Sequence, residues 1–251
     1  MASIVSIHSF RGGTGKSNTT ANLATVLAAG GRRVAVIDTD IQSPGIHVLF
    51  GLAGADLQAA LNDFLWRGSN IEDAAHDVTP AACQSAGGRI FLIPSSIKPG
   101  EITRVLREGY DAQRLTHGLR RLVTELQLDA LLIDTHPGLH EETLLSLVIS
   151  HILLIVLRPD QQDYEGTGVT VKIAQGLQVP RMLLVVNKTP PAFDPEAVRR
   201  KVEDAYGCRV AAVLPHSDEM MQLGSAEIFA LRYPQHPMTA QYKQVAAALV
   251  A

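Results

Sequence analysis

Residues 9–18 read Ser-Phe-Arg-Gly-Gly-Thr-Gly-Lys-Ser-Asn and follow the apolar run Ile4-Val5-Ser6-Ile7. A strand, a glycine-rich turn and a helix opened by Lys-Ser point several backbone N–H groups into one concavity, where phosphate oxygens bind. Lys16 adds a point charge near the β- and γ-phosphates, and the Ser17 hydroxyl suits Mg²⁺. This reads as a nucleoside triphosphate site, with Arg11, Gly12, Gly13, Thr14, Gly15, Lys16, Ser17 and Asn18 as its loop. The plain pattern G-x-x-x-x-G-K-[ST] is not met, because Phe10 stands where its first glycine would fall. An ordinary glycine turn with a surface lysine would not need the strand before it and the helix after it.

The rest of the chain fits one domain over residues 1–251. Hydrophobic residues make up 46% and charged residues 19%, an ordinary globular balance. A net charge of −3 gives no bulk attraction to nucleic acid, so any DNA contact needs a local basic patch. Cys83 and Cys208 lie far apart and have no metal-ligand spacing, which reads as two reduced thiols of a cytosolic protein. No charged-then-apolar leader is seen. The longest apolar stretch, Leu144 to Leu157, is interrupted by Ser146, Ser150 and His151 and falls short of the roughly 20 residues of a membrane span. A soluble cytoplasmic protein is expected.

Short β-branched runs alternate with amphipathic segments. Strands are expected at Ile4–His8, Arg33–Asp38, Ile90–Pro94, Ala130–Asp134, Ile152–Leu157, Met182–Asn187 and Val210–Leu214. Several are apolar without alternation, as in strands covered on both faces. Helices are expected at Asn18–Ala29, His140–Ile149, Tyr164–Gln175, Pro195–Ala205, Asp218–Leu223 and Thr239–Val250, with one or two more in Thr103–Leu126. Gly51–Gln84 is the least regular stretch and reads as small helices over one sheet edge. The rhythm predicts an α/β fold: a mostly parallel twisted sheet with helices on both faces, here a P-loop NTPase.

Three further motifs sit at predicted C-terminal strand ends, which border the ligand crevice of such a sheet. In Val36-Ile37-Asp38-Thr39-Asp40 two carboxylates share a face, fit to orient an attacking water or hold metal-bound waters. Leu131-Leu132-Ile133-Asp134 has the Walker B form, its carboxylate reaching Mg²⁺ directly or through water, and Pro137-Gly138 forces a turn soon after. Asn187, leaving Val185-Val186, has an amide suited to a purine edge.

With these residues in place the chain resembles the ParA/MinD family of deviant Walker A ATPases over nearly its whole length. The family's loop x-K-G-G-x-x-K-[ST] falls on Phe10–Ser17, its aspartate pair on Asp38 and Asp40, its hhhhDxxPG stretch on Leu131–Gly138 and its adenine-reading asparagine on Asn187. The resemblance implies ATP and Mg²⁺ as cofactors, an ATP-dependent sandwich dimer, weak ATPase activity and hydrolysis that switches the protein off a surface. It implies a metal set of Ser17, Asp38 and Asp134, and catalytic roles for Lys16, Asp38, Asp40 and Arg11. Arg11 replaces the signature lysine that reaches the partner's nucleotide. Arginine keeps the charge with a different reach, which leaves three readings: an arginine finger in trans, another basic residue in that role, or an Arg11 that merely flanks the loop. The carboxysome-positioning McdA branch also looks unlike its relatives at this position.

MinD-type members bind lipid through a basic, bulky C-terminal helix. Tyr242–Ala251 has one lysine and mostly small apolar side chains, so no membrane contact is expected and a packed helix is. ParA-type members bind DNA without sequence preference, and Arg199, Arg200, Lys201, Arg209 and Arg232 are the candidates. Glu196, Glu203 and Asp204 beside them fit a solvated helix face equally. The expected function is a nucleoid-associated positioning ATPase for a plasmid, chromosome region or organelle, stimulated by a cargo-linked adaptor protein. A MinD-like membrane ATPase is the alternative. A metabolic or metal-cluster enzyme lacks a cysteine pair. His136 and His140 straddle Pro137-Gly138 and read as polar residues near the dimer interface. Met220-Met221 reads as a helix face or a partner groove.

Overall fold

The apolar runs pair into one sheet: β1 (Ser3–His8), β2 (Arg33–Asp38), β3 (His76–Asp77), β4 (Arg89–Ile93), β5 (Ala130–Asp134), β6 (Ile152–Leu157), β7 (Arg181–Thr189) and β8 (Arg209–Pro215). The computed structural model describes residues 2–52, 57 and 59–250, and of residues 141 and 142 the backbone only. The strand order is β3-β4-β2-β5-β1-β6-β7-β8, every pairing parallel except that of β3 with β4. Between the strands run α1 (Lys16–Ala29), α2 (Ile46–Leu49), α3 (Leu61–Arg67), a 3-10 turn (Ile71–Ala74), α4 (Ala81–Gln84), α5 (Pro99–Glu108) and α6 (Ala112–Glu125). They are followed by α7 (Glu141–Ile149), α8 (Gln161–Gly176), α9 (Pro195–Tyr206), α10 (Asp218–Gln222), α11 (Phe229–Arg232) and α12 (Pro237–Val250).

The seven expected strands are all present. Neighbouring residues of one strand serve opposite faces. Leu154 packs with α1 and α12, while Leu153 and Ile155 pack under α7, α8 and α9. Both faces being dry, the strands need no polar alternation. Leu154→Ala would leave a cavity under α1 at a cost of about 2–5 kcal/mol. On the second face, α3, α5, α6 and the 3-10 turn cover β2, β4 and β5.

The stretch Thr103–Leu126 resolves into two helices, α5 and α6. Asp111 caps the second by accepting from the backbone N–H groups of Gln113 and Arg114, at 2.8 and 3.1 Å. Of Gly51–Gln84, residues 53–56 and 58 lie outside the described residues. The remainder holds the expected short helices and also β3, a two-residue antiparallel edge strand too short to show a period. Because β1, β2, β5, β6, β7 and β8 run parallel, His8, Asp38, Asp134, Leu157, Thr189 and Pro215 end at one rim of the sheet. The site is built on that rim.

Candidate functional site

The loop between β1 and α1 is held from two sides. Gly138 N donates to Ser9 O at 3.0 Å, joining it to the turn after β5. From β7, Asn187 Nδ2 donates to Thr14 O at 2.8 Å and Lys188 Nζ donates to Gly13 O at 2.8 Å. Gly15 stands before α1 at φ 97°, in the left-handed region, and a Cβ there would sit 2.5 Å from Asn187 Nδ2. Both facts require glycine. Lys16 opens α1 and is buried. Phe10 turns its ring onto α8, against Gly166. The first glycine of the plain motif is thus replaced by a hydrophobic anchor for the loop.

Asp38 and Asp134 are register partners on adjacent strands, 1% and 2% exposed. Asp38 accepts from Asp40 N at 2.9 Å and Gly45 N at 3.3 Å. Burial, then the charges of Asp134 and Asp40, hold its carboxyl well above the usual carboxylate range. Asp134 is pushed up to about 6 by burial, against the pull of Lys16 and the hydroxyls of Ser17 and Thr20. Two buried carboxylates beside a buried lysine leave negative charge that a cation would neutralise. Ser17, Asp38 and Asp134 therefore lie together beside Lys16. Asp40 lies at the edge of this group, its side chain 17% exposed, with His136 Nδ1 on its Oδ1 at 2.6 Å.

Beside the loop opens a cleft of about 410 Å³, lined by Gly15, Asn18, Asn187, His216, Met221 and Tyr242 among others. Its size and apolar walls suit a nucleobase and ribose. Within it Asn187 spends one amide hydrogen on Thr14 O, and its Oδ1 accepts from Lys188 N at 2.9 Å. Sequence reading missed the segment after β8, Pro215-His216-Ser217. Its signal was the expected parallel sheet, since a parallel β8 must end on the same rim. Met220 and Met221 also line this cleft.

Residues 2–180 match the family model described as AAA domain. The chain belongs to that family, as a member of the ParA/MinD type. An uncharacterised ATP-binding protein of Methanocaldococcus jannaschii is 25% identical over all of this chain and 88% of its own length. The sporulation initiation inhibitor protein Soj of Bacillus subtilis is 28% identical over 70% of this chain and 67% of its own. The fold is also that of the septum site-determining protein MinD of Pyrococcus horikoshii, solved as its Mg-ADP complex. That match has a TM-score of 0.82 and 21% identity and covers 99% of this chain and 96% of the other.

In this ParA/MinD-type domain Arg11 is folded back on its own chain, 3.7 Å from Asp160 and 3.6 Å from Asp163 at the start of α8. The basic candidates for DNA do not share one face within the subunit. Arg199 donates to Val210 O and pairs with Glu196 at 3.5 Å, a packing role. Arg200 and Arg209 are exposed, and the exposed Lys201 lies over the Tyr164 ring at 4.4 Å. Arg232 ends α11, which packs with α1 on the opposite face of the sheet from α9. His136 and His140 do meet, ring centroids 5.1 Å apart, but through the turn rather than on a helix. Among the described residues no three His, Cys, Asp or Glu side chains form a metal cage, and no helix is long and apolar enough to cross a membrane.

Proposed function

We propose that the chain is an ATP-hydrolysing switch. In this reading it dimerises around ATP, holds nucleoid DNA without sequence preference in that state, and lets go on hydrolysis stimulated by a cargo-bound partner. The observation that carries the ATPase reading is the convergence of Lys16, Asp38, Asp134 and Asp40 around one phosphate-cradling loop. ATP and Mg²⁺ fit these residues: the loop N–H groups and Lys16 would hold the phosphates, and Ser17 with the two buried carboxylates would hold the metal, directly or through water. Bound there, Mg²⁺ would neutralise phosphate charge. Asp40 would orient water at the loop, and Asn187 would meet the base with its remaining amide hydrogen.

A cargo-positioning role on DNA is favoured over a membrane role by α12. Its apolar side chains Tyr242, Val245 and Leu249 are buried against α1 and the sheet, so this helix has no free apolar face to lay on lipid. Of the basic candidates, Arg200, Lys201, Arg209 and, across the sheet, Arg232 are exposed cations that would meet phosphate.

Cosedimentation with plasmid DNA and with anionic liposomes, each with and without ATP, tests the reading. ATP-dependent DNA binding that falls steeply with salt supports it. ATP-dependent liposome binding would replace it with the MinD-like alternative. Binding indifferent to nucleotide would remove the switch.

A further inference from the structure

We infer that His136 is the positioning residue for Asp40, fixing which carboxylate oxygen faces the reacting water; the inference rests on the ATPase reading above. Asp40 lies in the loop after β2, where its side chain would otherwise turn freely. Three contacts set it. Its N–H donates to Asp38 Oδ1 at 2.9 Å, and its Oδ1 accepts from Ser43 N at 3.2 Å and from His136 Nδ1 at 2.6 Å. Both acceptances fall on Oδ1, so among the described residues Oδ2 is the oxygen left to take a hydrogen bond from water.

His136 is itself held through its backbone and one ring contact. It follows Thr135, whose N–H and Oγ1–H both donate to Ile7 O, at 3.2 and 3.0 Å. It precedes Pro137, its carbonyl accepts from Thr143 Oγ1 at 3.4 Å, and its ring rests against that of His140. The bond to Asp40 therefore runs from the turn after the Walker B aspartate to the loop that carries the water-facing one. It needs a hydrogen on Nδ1, which both the Nδ1-protonated neutral ring and the imidazolium provide. The logic is that of a third group orienting a catalytic pair, with histidine holding aspartate. Positional slack of about an ångström at such a group costs on the order of a hundredfold in rate.

The test compares His136→Ala, His136→Asn and His136→Gln. The Asn amide nitrogen stands where Nδ1 does, two bonds past Cβ, while the Gln amide reaches towards the place of Nε2. Expected results are a kcat lowered about tenfold to a hundredfold in His136→Ala and His136→Gln, and recovery to within about threefold of wild type in His136→Asn. ATP affinity by calorimetry and Tm should stay near wild type in all three. In Asp40→Ala the further change His136→Ala should lower kcat no more. Independently of turnover, ¹⁵N NMR of the nucleotide-free protein should show His136 protonated at Nδ1 and shifted by Asp40→Ala. Wild-type kcat in His136→Ala with an active parent would overturn this inference alone. So would equal kcat in the Asn and Gln variants, or a rate loss that tracks Tm or ATP affinity. A wild-type protein that binds ATP without turning it over would overturn the ATPase reading and this inference with it.

Discussion

The Arg11 guanidinium lies 3.6 Å from the carboxylate of Asp163, a side chain 2% exposed at the start of α8. The residue at the signature-lysine position is thus held in cis. To reach a partner subunit's nucleotide it must leave this pair. Asp163 would keep Arg158, whose N–H and Nε donate to it at 2.8 and 3.1 Å. Arg11→Ala should therefore cost less than about 1 kcal/mol of folding stability, because the arginine is well exposed and the carboxylate stays paired. ATP-dependent dimerisation, hydrolysis or both should weaken. Sedimentation with ATP, beside a thermal melt, separates the two effects; an unchanged dimer with unchanged turnover would leave Arg11 no role in trans.

Lys16 and Asp40 should divide binding from chemistry. Lys16 is buried at the mouth of α1, beside the phosphate-cradling turn. Lys16→Ala should lower ATP affinity by on the order of a hundredfold or more, since charge-assisted contacts to phosphate are lost. Asp40→Ala should leave affinity within a few-fold and slow hydrolysis by roughly 10²–10⁴. Calorimetry gives the first number and a phosphate-release assay the second. Wild-type affinity in Lys16→Ala would remove the loop from the site.

Phe10 and Gly166 should behave as a pair. A Cβ on Gly166 would sit 2.0 Å from the Phe10 ring, too close for the ring to stay. Gly166→Ala should therefore displace the ring and cost about 1–3 kcal/mol, despite alanine's better helix propensity. Phe10→Leu should relieve the clash and make the double variant less destabilised than the sum of the two. Urea midpoints of the four proteins close the cycle; strict additivity would mean that the ring does not bear on α8.

The strands and the phosphate loop were legible because each rests on local chemistry. An unbroken run such as Ile152–Leu157 marks a strand buried on both faces, and Gly-Lys-Ser after a strand marks an anion site. Asp38 and Asp134 were legible for the same reason, as charges that end apolar runs. What pairs with them was not. The bond of His136 to Asp40 spans 96 residues, and the hold of Asn187 and Lys188 on Thr14 and Gly13 spans more than 170. Such pairs are set by strand order, which no local pattern encodes. The basic residues show the reverse. Arg199 and Arg232 look alike in sequence, yet the first is spent on Val210 O and the second lies across the sheet.

His8 should make folding sensitive to acid. Thr135 Oγ1–H donates to Ile7 O, so the oxygen accepts from His8 Nδ1–H at 2.9 Å, and Nε2 is left buried with no partner among the described residues. A proton there would enter a dry site near Lys16. Burial first, then the Lys16 charge, pulls the imidazole down from 6.5 to about 3. Between those values the unfolded chain binds a proton that the folded chain does not. The contribution of His8 is therefore complete above about pH 6.5 and is lost as pH falls towards 3, at about 1.4 kcal/mol per pH unit. Asp134 acts in the opposite sense. Its folded value of about 6 lies above 3.8, so its contribution is present at low pH and lost as pH rises through that window. The comparison that isolates His8 is with His8→Asn, whose amide nitrogen can still donate to Thr135 but does not titrate. Denaturant titrations at about pH 6 and pH 4 should show the wild type losing about 2–3 kcal/mol more than the variant. Parallel curves would mean that burial in the folded chain does not hinder proton uptake by His8.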